Sequence, residues 1–151
     1  MVSSFRQRVY AGKSSAGLGA FPPQSLSGAA AVDGSIIDRL GAGSAKLVLE
    51  RAAASGGPSA AAFAVIIQSG EDPALADATT FATLESSLSA LAAGLSEYLI
   101  ALSGAGRYIR VVITPTYTGG TAPANLVSGE LVLGDYAEDP HLEGETLYGA
   151  D

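Results

Sequence analysis

From Ser35 onward the chain is a succession of short runs of β-branched and large aliphatic residues, each closed off by glycine, proline or acidic turn formers. Punctuation this frequent leaves little room for helices and favours strands. The candidates are Ile36 to Leu40, Ala45 to Glu50 and Ala60 to Ser69, with Gly41-Ala42-Gly43 and Ser55-Gly56-Gly57-Pro58 as breaks. In the second, Leu47 and Leu49 alternate with Lys46, Val48 and Glu50, which predicts one buried and one wetter face. Glu71-Asp72-Pro73 reads as a loop, and Gly119-Gly120 with Pro123 as another. Arg107 to Thr114 sets Ile109, Val111 and Ile113 against Tyr108, Arg110 and Val112, and Leu131 with Leu133 marks a last strand ending at Gly134-Asp135.

One segment carries a different period. Leu84, Leu88, Leu91, Leu95, Tyr98 and Leu102 recur every three or four residues, the pattern of an amphipathic helix over 83–102. The same residues also read as two strands, Phe81 to Glu85 and Glu97 to Leu102, divided at Ala92-Ala93-Gly94. Periodicity leaves both open.

The two ends differ from the middle and from each other. Residues 1–34 are rich in Ser, Gly and Ala, contain Pro22-Pro23, and space Phe5, Val9, Tyr10, Leu18 and Phe21 too irregularly for helix or strand. They read as an extended arm, able to span roughly 100 Å. The arm carries Arg6, Arg8 and Lys13 with no acid, whereas residues 130–151 carry seven acids and no Lys or Arg. The expected organisation is therefore an arm at 1–34, a β domain at 35–135 and an acidic tail at 136–151.

A net charge of −7 argues against nucleic acid as a partner, since phosphate contacts require a surplus of Lys and Arg. No apolar run follows Arg6 and Arg8 to form a signal-peptide core, and Ser86 to Gly106 is too polar for a membrane span, so a soluble chain made in the cytoplasm is expected. With no Cys and a single His, thiolate chemistry, Cys-based metal centres and most catalytic triads drop out. Gly12-Lys13-Ser14 lacks the upstream glycine of a phosphate loop, because Gln7 stands there. Gly41-Ala42-Gly43 and Gly104-Ala105-Gly106 lack the third glycine of a dinucleotide fingerprint. His141 among Asp139 and Glu143, and the pair Glu71-Asp72, are the nearest approaches to a metal or acid–base group, and both read as solvated. No enzyme, cofactor or metal is expected.

The stretch Ser103-Gly104-Ala105-Gly106-Arg107-Tyr108-Ile109-Arg110-Val111-Val112-Ile113-Thr114, followed by Thr118-Gly119-Gly120, resembles the capsid cement (decoration) proteins of tailed bacteriophages. Phe63 to Ser69 is similar to their earlier strand, Asp77 to Phe81 to the following loop, and Leu126 to Gly134 to the closing strand. The resemblance spans roughly residues 35–135. It implies an all-β fold, a small jelly-roll-like sandwich, with strands over 83–102. It further implies a homotrimer on the exterior of the virion capsid that bridges neighbouring copies of the major capsid protein and catalyses nothing. On that reading Phe5, Arg6, Arg8, Tyr10 and Phe21 are candidate shell contacts, and Arg107 and Arg110 candidate intersubunit groups. A phage neck or tail component, and a helical interaction module built on Leu84 to Leu102, are the competing expectations.

Overall fold

A computed structural model describes residues 19–39 and 41–136. They form nine strands and no helix: β1 (Phe21–Ser27), β2 (Val32–Asp33), β3 (Ile37–Asp38), β4 (Ala42–Arg51), β5 (Ala60–Gly70), β6 (Thr79–Ser89), β7 (Gly94–Ala101), β8 (Tyr108–Thr118) and β9 (Ala124–Tyr136). All pairings are antiparallel. Sheet I has the order β1-β9-β4-β7; sheet II has the order β2-β8-β5-β6, with β3 also on β8. Alternation within each strand sends one set of side chains inward. Leu47, Leu49, Val127 and Leu131 from sheet I meet Phe63, Val65, Ile67, Ile109 and Ile113 from sheet II in a single apolar core.

The β-rich expectation holds, and several boundaries change. Ala60 to Ser69 corresponds to β5, and Arg107 to Thr114 lies largely within β8. Ile36 to Leu40 shrinks to the two-residue β3, and the expected break at Gly41-Ala42-Gly43 narrows to Gly41, because β4 already starts at Ala42.

Residues 20–33 are not part of an arm. Phe21–Ser27 pairs with β9 and Val32–Asp33 with β8, so the domain begins well before Ser35. Pro22-Pro23 is tolerated because β1 is an edge strand and its register shifts between Phe21 and Gln24, where missing N–H groups break no ladder bond. Residues 1–18 and 137–151 lie outside the described residues.

The helix reading of 83–102, and with it the helical interaction module, is overturned: the segment holds β6, a corner at Ala90 to Ala93, and β7. Bulges explain the β6 part of the misleading period. Phe63, Val65 and Ile67, two apart on β5, face Leu88, Glu85 and Ala82, three apart on β6. Extra residues in β6 stretch a strand period towards a helical one.

One side of the two-sheet body is closed through Gly34. Its N–H donates to the Val111 carbonyl at 2.7 Å, and the next N–H, from Ser35, donates to the Ala20 carbonyl at 2.9 Å, linking both sheets. A Cβ at residue 34 would run into the Ala20 oxygen and lie 2.9 Å from that of Val111, so only glycine fits. Half-buried Arg39 fastens another corner, donating to the carbonyls of Gly106 (2.7 Å), Ala42 (2.7 Å) and Ala105 (2.5 Å). Three carbonyls here do the work of a carboxylate.

Candidate functional site

The outward face of sheet I is where this fold departs from ordinary patterning. Along β7, Tyr98 and Ile100 point inward while Leu95, Glu97 and Leu99 point out; along β4, Lys46, Val48 and Glu50 point out. The register lines these up across three strands. Leu99, Lys46 and Val132 form one row, Glu97, Val48 and Glu130 the next, and Leu95, Glu50 and Ser128 the third. Leu99 is 86% exposed, Leu95 58% and Leu126 64%; Leu91, in the corner leading to β7, is 41% exposed. These are the exposed large hydrophobics among the described residues, and they gather on one face and its margin. Burying the exposed part of each is worth on the order of 1–2 kcal/mol.

The exposure of Leu126 is held in place by its neighbour. Asn125 is 1% exposed, and its Nδ2 donates to the carbonyls of Ala52 (2.9 Å) and Ala90 (2.8 Å). Its Oδ1 lies 2.8 Å from the Tyr117 hydroxyl, which is also 2.9 Å from the Leu26 carbonyl. With every Asn125 group satisfied, β9 is pinned with a polar residue inside and a leucine outside. Burial pushes the Tyr117 phenol above its ordinary pKa.

Beside Leu126 lies a shallow open depression of about 430 Å³, lined by Pro23, Gln24, Glu50, Arg51, Ala52 and Ala93 together with β9. Arg51 donates to the Ser96 Oγ at 3.0 Å, while its buried Nε has no partner. The guanidinium lies against Gly94, where a Cβ would come within 2.8 Å of Nη2. The face itself is acidic. Glu97 pairs with Lys46 at 3.2 Å, and among the described residues no cation pairs with Glu50 or Glu130. The free edge of β7 beside it carries Glu97 as its single charge, weak protection against pairing with another chain. The other sheet ends on β6, rich in Ser and Thr and interrupted by bulges, a better-guarded edge.

The expected site residues fare differently. Phe21, read as a shell contact, is 0% exposed and packs in the core, because the proline pair that suggested an arm is an edge strand. Phe5, Arg6, Arg8 and Tyr10 lie outside the described residues, as does His141. Arg107 and Arg110 are engaged within the chain. Arg107 grips Asp38 through Nε (3.0 and 3.1 Å) and Nη2 (2.7 Å), which raises its guanidinium pKa, and stands 5.4 Å from the Tyr108 ring. Arg110 pairs with Asp33 at 3.0 Å and donates to Gln68 at 2.8 Å. These pairs tie β3 and β2 to β8, a job internal to sheet II.

Glu71 and Asp72 serve a turn. Their N–H groups donate to Asp77 at 2.9 and 3.1 Å, which lowers the Asp77 pKa. Among the described residues no group of three or more His, Cys, Asp or Glu side chains could hold a metal ion, and no helix is long and apolar enough to cross a membrane.

Sequence reasoning missed the leucine face. A signal was present: once Tyr98, Ile100 and Leu102 are assigned inward, Leu99 must point out, and Leu95 with it. The chain matches no protein-family model and no curated protein.

Proposed function

We propose that this chain is a non-enzymatic viral structural protein, a capsid cement protein of the tailed-bacteriophage kind. It binds the exterior of an icosahedral head across boundaries between major capsid proteins and stabilises it, as a homotrimer. The observation that carries the reading is the gathering of Leu91, Leu95, Leu99 and Leu126 on one sheet face and its margin, a surface suited to burial against a protein rather than to turning over a small molecule. The strand order supports it too. Sheet I as β1-β9-β4-β7 with sheet II as β2-β8-β5-β6 is an arrangement of two antiparallel sheets that supports the jelly-roll reading, an architecture used by viral capsid domains.

The mechanism is linkage. A ligand that binds only the assembled lattice lowers that state's free energy by its own binding free energy, so disruption of the lattice becomes harder. Leucines that are costly in water supply that energy when covered, and three linked copies hold on longer than one because each rebinds at high effective concentration. Phe5, Arg6, Arg8 and Tyr10, outside the described residues, are further candidate contacts with the shell.

The test is to heat expanded heads of the cognate phage with and without the purified protein and follow DNA release, with mass photometry of the free protein alongside. A higher release temperature and a trimeric mass support the proposal. Unchanged release refutes it, and a larger closed ring in photometry would indicate a neck or tail component instead.

A further inference from the structure

We propose that a second copy of this chain adds to the open edge of β7, the two strands running antiparallel about a two-fold axis at Glu97, so that sheet I continues from one copy into the other. The contact goes beyond the shell-binding reading and does not require it.

The first ground is the state of the sheet edges. A long, regular, apolar edge strand is a template for another chain, and folds guard against it. Among the described residues the other edges carry such guards: β1 has Pro22-Pro23 and a register shift, β6 has bulges, and β2 and β3 hold two residues each. β7 has neither proline nor bulge, and pairs with β4 without a break from Gly94 to Ala101.

The second is the direction of its backbone groups. The Leu102 N–H donates to the Gly43 carbonyl at 2.9 Å, and the register places those two residues directly opposite each other. Hydrogen-bonded and non-hydrogen-bonded pairs alternate along an antiparallel ladder. Ser96, Tyr98 and Ile100 therefore bond to β4, while Leu95, Glu97, Leu99 and Ala101 turn their N–H and C=O groups to the open edge. The residues free to bond are the same ones whose side chains stand on the exposed face.

The third is symmetry, and it selects the occupant. Leu95 and Leu99 lie two residues on either side of Glu97. Pairing centred on Glu97 sets each Leu95 against Leu99 of the second copy, with about six interstrand hydrogen bonds. Centring on Tyr98 instead would set Leu99 against Glu97 and lose both leucine pairs. Each Glu97 brings its own Lys46 at 3.2 Å, which offsets the like charge on the axis. The pattern is self-complementary, as a two-fold contact requires. The axis stands perpendicular to the sheet, so the leucine faces of both copies lie on one side as a single wider surface. A contact of one eight-residue strand from each copy is small, and it forms as concentration rises rather than in dilute solution. It leaves a three-fold contact elsewhere on the chain untouched.

The chain has no cysteine, so single cysteines in the full-length protein report the contact directly. In the proposed register Glu97 faces itself at a Cα separation of about 5.5 Å, within disulfide range, whereas the two Leu95 residues, and the two Leu99 residues, are roughly 13 Å apart. Under mild oxidation Glu97→Cys should form a disulfide dimer. Leu95→Cys and Leu99→Cys should not do so singly, but a mixture of the two should cross-link one to the other. Thr116→Cys, exposed on β8, is the control for chance collision. Hydrogen exchange of the unaltered chain supplies an independent reading: raising the concentration should slow the amides of Leu95, Glu97, Leu99 and Ala101 and leave those of Ser96, Tyr98 and Ile100 unchanged. Glu97→Pro removes an N–H from the open edge and none from the β4 ladder. It should raise the concentration needed for that slowing roughly tenfold, with Ser96, Tyr98 and Ile100 still protected as evidence of the fold.

Glu97→Cys cross-linking no faster than Thr116→Cys would overturn the proposal. So would Leu95→Cys or Leu99→Cys dimerising alone as readily as Glu97→Cys, or the two sets of β7 amides responding alike to concentration. No shell enters the experiment, so its failure leaves the shell-binding reading standing.

Discussion

Asn125 is sealed in the core while Leu126, the next residue on β9, stands in solvent, an inversion of the burial that their side chains would choose. Sliding β9 by one residue would reverse both, and the four-group network around Asn125 is what opposes the slip. An apolar residue kept outward by a buried polar anchor is hard to explain by stability alone. It is readily explained if the outward face has something to bind.

Replacing Asn125 by Leu should therefore be costly even though it makes the core more apolar. The Ala52 and Ala90 carbonyls lose their donor, and the expected loss is about 3 kcal/mol in urea unfolding. Tyr117→Phe should cost about 1 kcal/mol. Because the two residues share one network, the double variant should lose clearly less than the sum of the singles.

Gly34→Ala tests the closure between the sheets. The added methyl meets the Ala20 and Val111 oxygens, both acceptors in the bonds that join the two layers, and the expected cost is above about 2 kcal/mol. Gly28, with φ near 75° and nothing within 4 Å, is the control. There alanine meets backbone strain alone, about 1 kcal/mol.

Stability should fall at both extremes of pH for identifiable reasons. Burial raises the Tyr98 and Tyr117 phenols, so their contribution is complete below the unfolded value near 10 and is lost as pH rises through the folded values. Asp77 is lowered by the Glu71 and Asp72 N–H groups, so its contribution is present above the unfolded carboxylate value and is lost as pH falls through the folded one. Urea midpoints measured from acid to alkali should show both declines. Tyr117→Phe should flatten the alkaline limb and Asp77→Asn the acid limb.

The β-rich class, the long central strands and the turns at Glu71 and Gly119 were legible because alternation and turn residues are local properties. Three features were not. The Pro22-Pro23 segment resembles an arm because an edge strand needs no N–H on its open side, a fact visible only once β9 is its neighbour. The first part of the helical period of Leu84 to Leu102 comes from bulges in β6 whose register depends on β5, while Leu95 and Tyr98 keep the spacing from opposite faces of the regular strand β7. Arg107 and Arg110 resembled intersubunit groups because their partners, Asp38 and Asp33, come from strands of two residues each, too short to recognise in sequence. Of the binding surface, the rows across β7, β4 and β9 required register; Leu99 alone could have been found from the phase of Tyr98 and Ile100.

The leucine face can be altered without harming the fold, since exposed residues contribute little to folding free energy. Leu95→Ser/Leu99→Ser should unfold within about 1 kcal/mol of the parent, as two exposed substitutions of up to about 0.5 kcal/mol each allow.

The most direct measurement is co-sedimentation of this folded double variant and of the unaltered protein with expanded heads of the cognate phage. The account expects the unaltered protein to pellet with the heads and the variant to remain largely in the supernatant. Equal occupancy of the two proteins on the heads, or no binding by either, would contradict it.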